Sequence, residues 1–172
     1  MGYLLEAGIN LDRFLYCTTR DIRRNEKNGR DYIFKTNEEY EQDLANNKVV
    51  ESRCYHMAER DVYYYTLKDI DLSKDYIVAG TINQCLSYIE YFGRDVVIPV
   101  RIFVNEYDRL IRGIERERRN KQNYREVCRR FYAEFDEYTD ENFSKINFAL
   151  EIENYDLDDC CEKLKEFIEN YD

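Results

Sequence analysis

Strand-like runs alternate with helical patterns through most of this chain, and no other feature limits its fold as much. Residues 11–17, 48–55, 62–66, 76–80, 96–104 and 147–152 read as strands rich in β-branched and aromatic side chains. Between them the sequence predicts helices. Thr36-Asn37-Glu38-Glu39 is a capping box opening a helix over 37–44. Ile82, Cys85, Leu86 and Ile89 fall on one helical face. Residues 106–119 and 124–138 read as charged helices joined by a polar link, and Asp156 or Asp158 caps a closing helix over 159–171. Residues 1–8 read as a helix end stopped at Gly8. This order indicates an α/β layered domain with a mainly parallel sheet. Pro99 cannot donate to a ladder, so it belongs at an edge, a bulge or a strand end.

The 172 residues suit one domain with enough apolar and aromatic side chains for a core. A formal net charge of −10 opposes binding to nucleic acid or an anionic membrane surface, although a local arginine cluster can still hold one small phosphate. No run is long enough to span a membrane, and residues 1–17 lack a secretory pattern, so the expected location is cytoplasmic. The six cysteines (Cys17, Cys54, Cys85, Cys128, Cys160, Cys161) show no C-x-x-C spacing. With a single histidine, His56, a Cys/His zinc site or a His-based triad has little support; no metal site is expected, and the cysteines read as reduced and mostly structural.

The chemistry concentrates in residues 17–34, CTTRDIRRNEKNGRDYIF. Arg20 and Arg23 stand three apart, a polar loop leads to Asn28-Gly29, and Tyr32 follows in an aromatic run. Two guanidinium forks and a phenol suit a phosphate grip. An arginine-rich polar loop also suits plain solvated surface.

This stretch resembles the GMP-binding segment of guanylate kinases, T-T-R-x-x-R, then a loop with N/D-G, then D/E-Y-x-F. The resemblance continues in register through Val49-Val50-Glu51, Tyr64-Tyr65-Thr66, a basic region from Arg112 to Arg130, and Asn154-Tyr155-Asp156-Leu157-Asp158 before the last helix. It covers residue 5 to the C terminus. It implies a guanylate-kinase-like fold, with a mainly parallel sheet flanked by helices, a small antiparallel GMP-binding sheet within 18–66 and a helical lid over 106–138. The implied reaction is ATP + GMP = ADP + GDP, with Mg²⁺.

On that resemblance Arg20, Arg23, Tyr32 and Tyr64 clamp the monophosphate. Glu51 reads guanine, because a carboxylate can accept from both ring N1–H and the exocyclic amine, and Thr66 offers a hydroxyl near the base. Arg112, Arg116 and Arg130 match the lid arginines that neutralise charge on the transferring phosphoryl group. Read without the family, Tyr32 and Tyr64 also fit as strand aromatics, Glu51 as a solvent-facing strand position, and the basic helix as an exposed face paired with Glu115 and Glu117. The chain departs from the family pattern where Tyr16 replaces a serine and Thr81 replaces an aspartate, which bears on guanine selectivity.

The family's G-x-x-G-x-G-K-[ST] loop, which cradles the phosphates of ATP, is expected before T-T-R, yet no glycine in the sequence precedes a Gly-Lys pair. On the resemblance the chain starts inside the helix after that loop, so the first strand and the P-loop are absent. The expectation is a chain that binds GMP but is inactive or impaired as a kinase, with a homodimer or a rearranged sheet replacing the lost strand. The alternative is a non-catalytic module that binds a phosphorylated partner or another phosphate-bearing ligand, or a nucleotide-binding regulator.

Overall fold

The computed structural model describes residues 9, 11–56, 60–119 and 123–171. The helix end expected at 1–8 lies outside them. Contacts divide the chain into two compact units. The first runs to Gly80 and takes in Ser87–Gly93; the second comprises Thr81–Leu86 and the chain from Arg94 on.

The first unit is built on a four-stranded sheet in the order β3 (Ile33–Phe34), β2 (Cys17–Thr18), β5 (Asp61–Leu67), β4 (Val49–His56). Strands β4 and β5 form an antiparallel ladder from Val49↔Leu67 to His56↔Asp61, with a register shift between Val49 and Glu51. Strand β2 runs antiparallel to β5 and parallel to β3. Side chains alternate across such a sheet, which gives its two faces different chemistry. Cys17 and Tyr65, buried to 1% and 0% exposure, pack with Tyr40 of helix α1 (Asn37–Ala45). Burying the Tyr65 ring contributes on the order of 2–3 kcal/mol. Its hydroxyl donates to Asp43 at 3.0 Å, which satisfies both buried groups. Burial pushes the Cys17 thiol up to about 11, keeping it protonated, as expected for a structural cysteine.

Helix α1 starts where its capping box requires. Thr36 Oγ1 accepts from the Glu39 N–H, and Glu39 returns the bond to the Thr36 N–H at 2.7 Å. The run at 11–17 does not form one strand. Asp12–Arg13 (β1) pairs parallel with Tyr76–Ile77 (β6), whereas Cys17–Thr18 joins the larger sheet. The intervening Phe14 turns into an aromatic cluster with Tyr16, Tyr76 and Tyr88.

In the second unit β7 (Val100–Phe103) pairs parallel with β8 (Leu150–Glu153). The expected strand over 96–104 is shorter because Pro99 has no N–H to donate; its carbonyl accepts from Ala149, and the ladder begins one residue later. Arg101 faces Glu151 across the ladder at 2.9 Å and stacks on Phe143, 3.7 Å from the ring centroid. Helix α2 (Ile82–Phe92) begins in this unit; α3 (Glu106–Arg119) and α4 (Tyr124–Glu137) pack on each other. Gly113 permits that approach, since a Cβ there would stand 3.2 Å from Val127 Cγ1. A short α5 (Asp140–Ser144), absent from the sequence reading, is capped by Thr139. The closing α6 (Leu157–Glu169) is capped by Asp156, which accepts from the Asp159 N–H. Cys160 and Leu164 turn inward from it and are buried.

Candidate functional site

The face of the four-stranded sheet opposite Tyr40 carries polar groups. Cross-strand partners share a face, so the register groups Glu51 with Thr66 and Arg53 with Tyr64. Thr18 pairs with Tyr64 on the other side. Beyond β2, Thr19 stays tied to β5: its N–H donates to the Tyr63 carbonyl and its Oγ1 accepts from the Tyr63 N–H, both at 3.0 Å. This anchor sets where the chain leaves the sheet and therefore where Arg20 begins.

Arg20 is the best-held cation of the site. Its Nε donates to Tyr64 OH at 2.8 Å, and its guanidinium lies 4.8 Å from the Tyr32 ring centroid and 5.4 Å from that of Phe34. Its terminal nitrogens donate to both oxygens of Glu26, at 2.7 and 2.6 Å, and Nη1 also reaches the Asp21 carbonyl. Glu26, absent from the sequence reading, thus forms the two-bond fork that arginine makes with carboxylate or phosphate. The Arg20 hydrogen bond holds the Glu26 carboxyl down to about 2, and the same bond raises the Arg20 guanidinium above its ordinary value. Arg23 differs. Its backbone N–H donates to Glu26, while its side chain is exposed.

The loop between them closes on fixed points. Gly29 has φ +76° and donates to the Tyr32 carbonyl; Asn28 Oδ1 accepts from the Phe34 N–H. Asp31 accepts from the Lys27 N–H and from Arg30, and these bonds, the backbone one first, lower its carboxyl. Tyr32 is thereby returned beside Tyr64, with ring centroids 5.8 Å apart.

A second cluster lies two residues further along β5, about 7 Å away by strand geometry. Thr66 donates to Glu51 Oε1 at 2.9 Å, and Tyr88 OH stands 2.6 Å from Thr66 Oγ1. Thr66 has one proton, so Tyr88 is the donor in that contact and the order is Tyr88 to Thr66 to Glu51. All three are buried, at 6%, 1% and 9% exposure. Arg53 approaches the other oxygen of Glu51 at 3.4 Å and lies over the Tyr16 ring. Tyr16 donates to the Ala79 carbonyl, and Thr81 begins α2 by accepting from the Gln84 N–H. The two substitutions noted in the sequence therefore have local structural roles.

The structure thus brings Arg20, Tyr32 and Tyr64 together and pairs Glu51 with Thr66. Arg112 and Arg116 line one hollow of about 250 Å³ with Glu115 and Arg119, and Arg112 also donates to the Tyr155 carbonyl. Arg130 is not among that hollow's lining; it binds Glu126 at 2.8 Å. Tyr88, Arg53 and Glu26 were not found from sequence. A search for a carboxylate partner to a half-buried arginine points to Glu26, but Tyr88 reaches the site from a helix that spacing alone does not connect to it.

The family model described as guanylate kinase matches residues 11–171. The chain belongs to the guanylate kinase family. A guanylate kinase of Bacteroides fragilis is 38% identical over 68 residues, 40% of this chain and 32% of that protein. The alignment therefore spans about a third of that relative's length. A guanylate kinase of Caldanaerobacter subterraneus subsp. tengcongensis is 26% identical over 171 residues, 96% of this chain and 77% of that protein. The crystal structure of guanylate kinase from Anaplasma phagocytophilum superposes with a TM-score of 0.60 at 16% identity, over 98% of this chain and 77% of that one. That likeness establishes the guanylate kinase fold, as the resemblance implied. No helix among the described residues is long and apolar enough to cross a membrane.

Proposed function

We propose that the polar sheet face of the first unit is an acceptor site for a guanine nucleoside monophosphate. Arg20 and Arg23 supply the cationic grip on the phosphate, Tyr32 and Tyr64 orient it, and Glu51 with Thr66 meets the Watson–Crick edge of guanine. The observation that carries this reading is the shared face: Tyr64, which holds Arg20, and Thr66, which holds Glu51, are two residues apart on β5. A dianion grip and a guanine-matching carboxylate then stand at the two ends of one short strand segment.

Family membership implies ATP and Mg²⁺ as donor and metal. The residues in hand do not fit them well. No glycine precedes a Gly-Lys pair, and the described glycines of positive φ, Gly29 and Gly93, precede Arg30 and Arg94 rather than a phosphate-cradling helix with a lysine. We therefore read these residues as a GMP-binding half-reaction site that does not by itself transfer a phosphoryl group. Arg112 and Arg116, which line one hollow together, fit the lid role better than Arg130, which is not among that lining.

A phosphate-binding module for a modified partner protein is the second reading. It draws on the same grip, with Arg23 exposed and ready for a bulkier ligand, but gives Glu51 no ligand to read. Titration with GMP, AMP and inorganic phosphate separates the two. The acceptor reading predicts GMP binding at least tenfold tighter than AMP, about 1.4 kcal/mol, with the difference removed in Glu51→Gln. Equal affinity for GMP, AMP and phosphate would turn the reading to the module.

A further inference from the structure

At the far end of the β4–β5 ladder a different cluster stands on the opposite face, the one covered by α1. Cys54 and His56 are two apart on β4 and share that face, and Asp61 lies directly across from His56. His56 Nδ1 is 2.7 Å from Asp61 Oδ1 and 3.9 Å from Cys54 Sγ, and the three donor atoms lie within 4.8 Å of one another. All three residues are exposed. Composition argued against a Cys/His site because it counts only those two residue types. Strand register adds the carboxylate, and register is not visible in spacing.

We propose that Cys54, His56 and Asp61 form a binding site for a divalent transition metal, Zn²⁺ above all. The donor set is one thiolate, one imidazole and one carboxylate, a mixture that suits borderline-soft Zn²⁺ and not Mg²⁺ or Ca²⁺. Bonds of about 2.0–2.3 Å in tetrahedral geometry place donors about 3.3–3.7 Å apart, between the two distances found here, so small rotamer adjustments complete the set. Loss of the Cys54 proton to solvent gives a site charge of −2, which the ion cancels. Three protein ligands leave the fourth position to water. The backbone ladder holds all three Cα positions before the ion arrives, and the site uses none of the groups assigned to the acceptor face. It stands or falls independently of that assignment.

Co²⁺ added to the full chain is the direct probe, followed by competition between Zn²⁺ and a chromophoric chelator. The expected result is one Co²⁺ per chain with a thiolate-to-cobalt charge-transfer band and the ligand-field bands of a four-coordinate ion, both bleached by one equivalent of Zn²⁺. Cys54→Ser abolishes the charge-transfer band, His56→Gln lowers Zn²⁺ affinity at least tenfold, and Cys128→Ser, which alters another exposed cysteine, changes neither. Because the ligands are exposed, the far-ultraviolet circular dichroism of these variants matches that of the parent chain. A parent chain without the charge-transfer band overturns the proposal. So does a band that survives Cys54→Ser, or a Zn²⁺ affinity unchanged in His56→Gln.

Discussion

Glu26 closes a two-bond fork on Arg20, with one carboxylate oxygen on each terminal guanidinium nitrogen at 2.6 and 2.7 Å. With Tyr64 on Nε and the Asp21 carbonyl on Nη1, four of the five N–H groups of Arg20 are engaged. Arg20 is thus fixed by its neighbours rather than free to search for a ligand. Such fixing reduces the entropy lost on binding. It also leaves Arg23 as the exposed partner of the pair.

That division predicts different behaviour from the two arginines. Arg23→Ala leaves the chemical denaturation midpoint nearly unchanged, within about 0.5 kcal/mol, because its side chain is exposed. Its GMP affinity falls about tenfold, the loss of one charge-assisted contact. Arg20→Ala loses both stability and binding, since Glu26 and Tyr64 are left without their partner. Urea melts beside calorimetric titrations distinguish the two.

The Arg20–Glu26 pair also gives stability a pH dependence. The folded Glu26 carboxyl lies at about 2, below its ordinary 4.5, so its contribution is fully present above 4.5 and is lost as pH falls through about 2. Glu26→Gln therefore costs about 1–2 kcal/mol at neutral pH. The gap between variant and parent narrows steadily from pH 4.5 towards pH 2. Denaturant midpoints across that interval check it, and a gap that stays constant would count against the pair.

Tyr65 and Asp43 supply a test of the sheet's other face. Tyr65→Phe removes the hydroxyl that satisfies a nearly buried carboxylate, 9% exposed, with Lys35 4.0 Å away as its remaining cation. The expected loss is about 1–3 kcal/mol of stability with GMP affinity unchanged, because the site lies on the opposite face. A large binding defect in this variant would mean that the two faces are not separable.

Tyr88→Phe removes the donor to Thr66 and leaves the Thr66–Glu51 bond in place. The account predicts a loss of about 1 kcal/mol in stability and a smaller fall in GMP-over-AMP preference than Glu51→Gln gives. Thermal melts and paired titrations measure both.

Much of this was legible in sequence because it depends on local periodicity. The β4–β5 alternation, the Thr36–Glu39 capping box and the stretch from Thr18 to Tyr32 each announce themselves over a few residues. Distant geometry did not. The run at 11–17 has one continuous strand pattern yet divides between two sheets, since β1 pairs with β6 and β2 with β5. Tyr88 meets Thr66, which holds Glu51, from a separate helix, and Asp61 meets His56 only through register. Helix α5 has five residues, too few for an apolar period to show. Arg130 matched the lid by position, while its binding to Glu126 depends on an i,i+4 geometry shared by many exposed helices.

The most direct test of the acceptor site is a calorimetric titration of the chain with GMP, repeated on Arg20→Ala. The account predicts one GMP per chain, with affinity reduced at least tenfold in the variant. GMP binding of equal strength in Arg20→Ala, or no GMP binding by the parent chain, would contradict it.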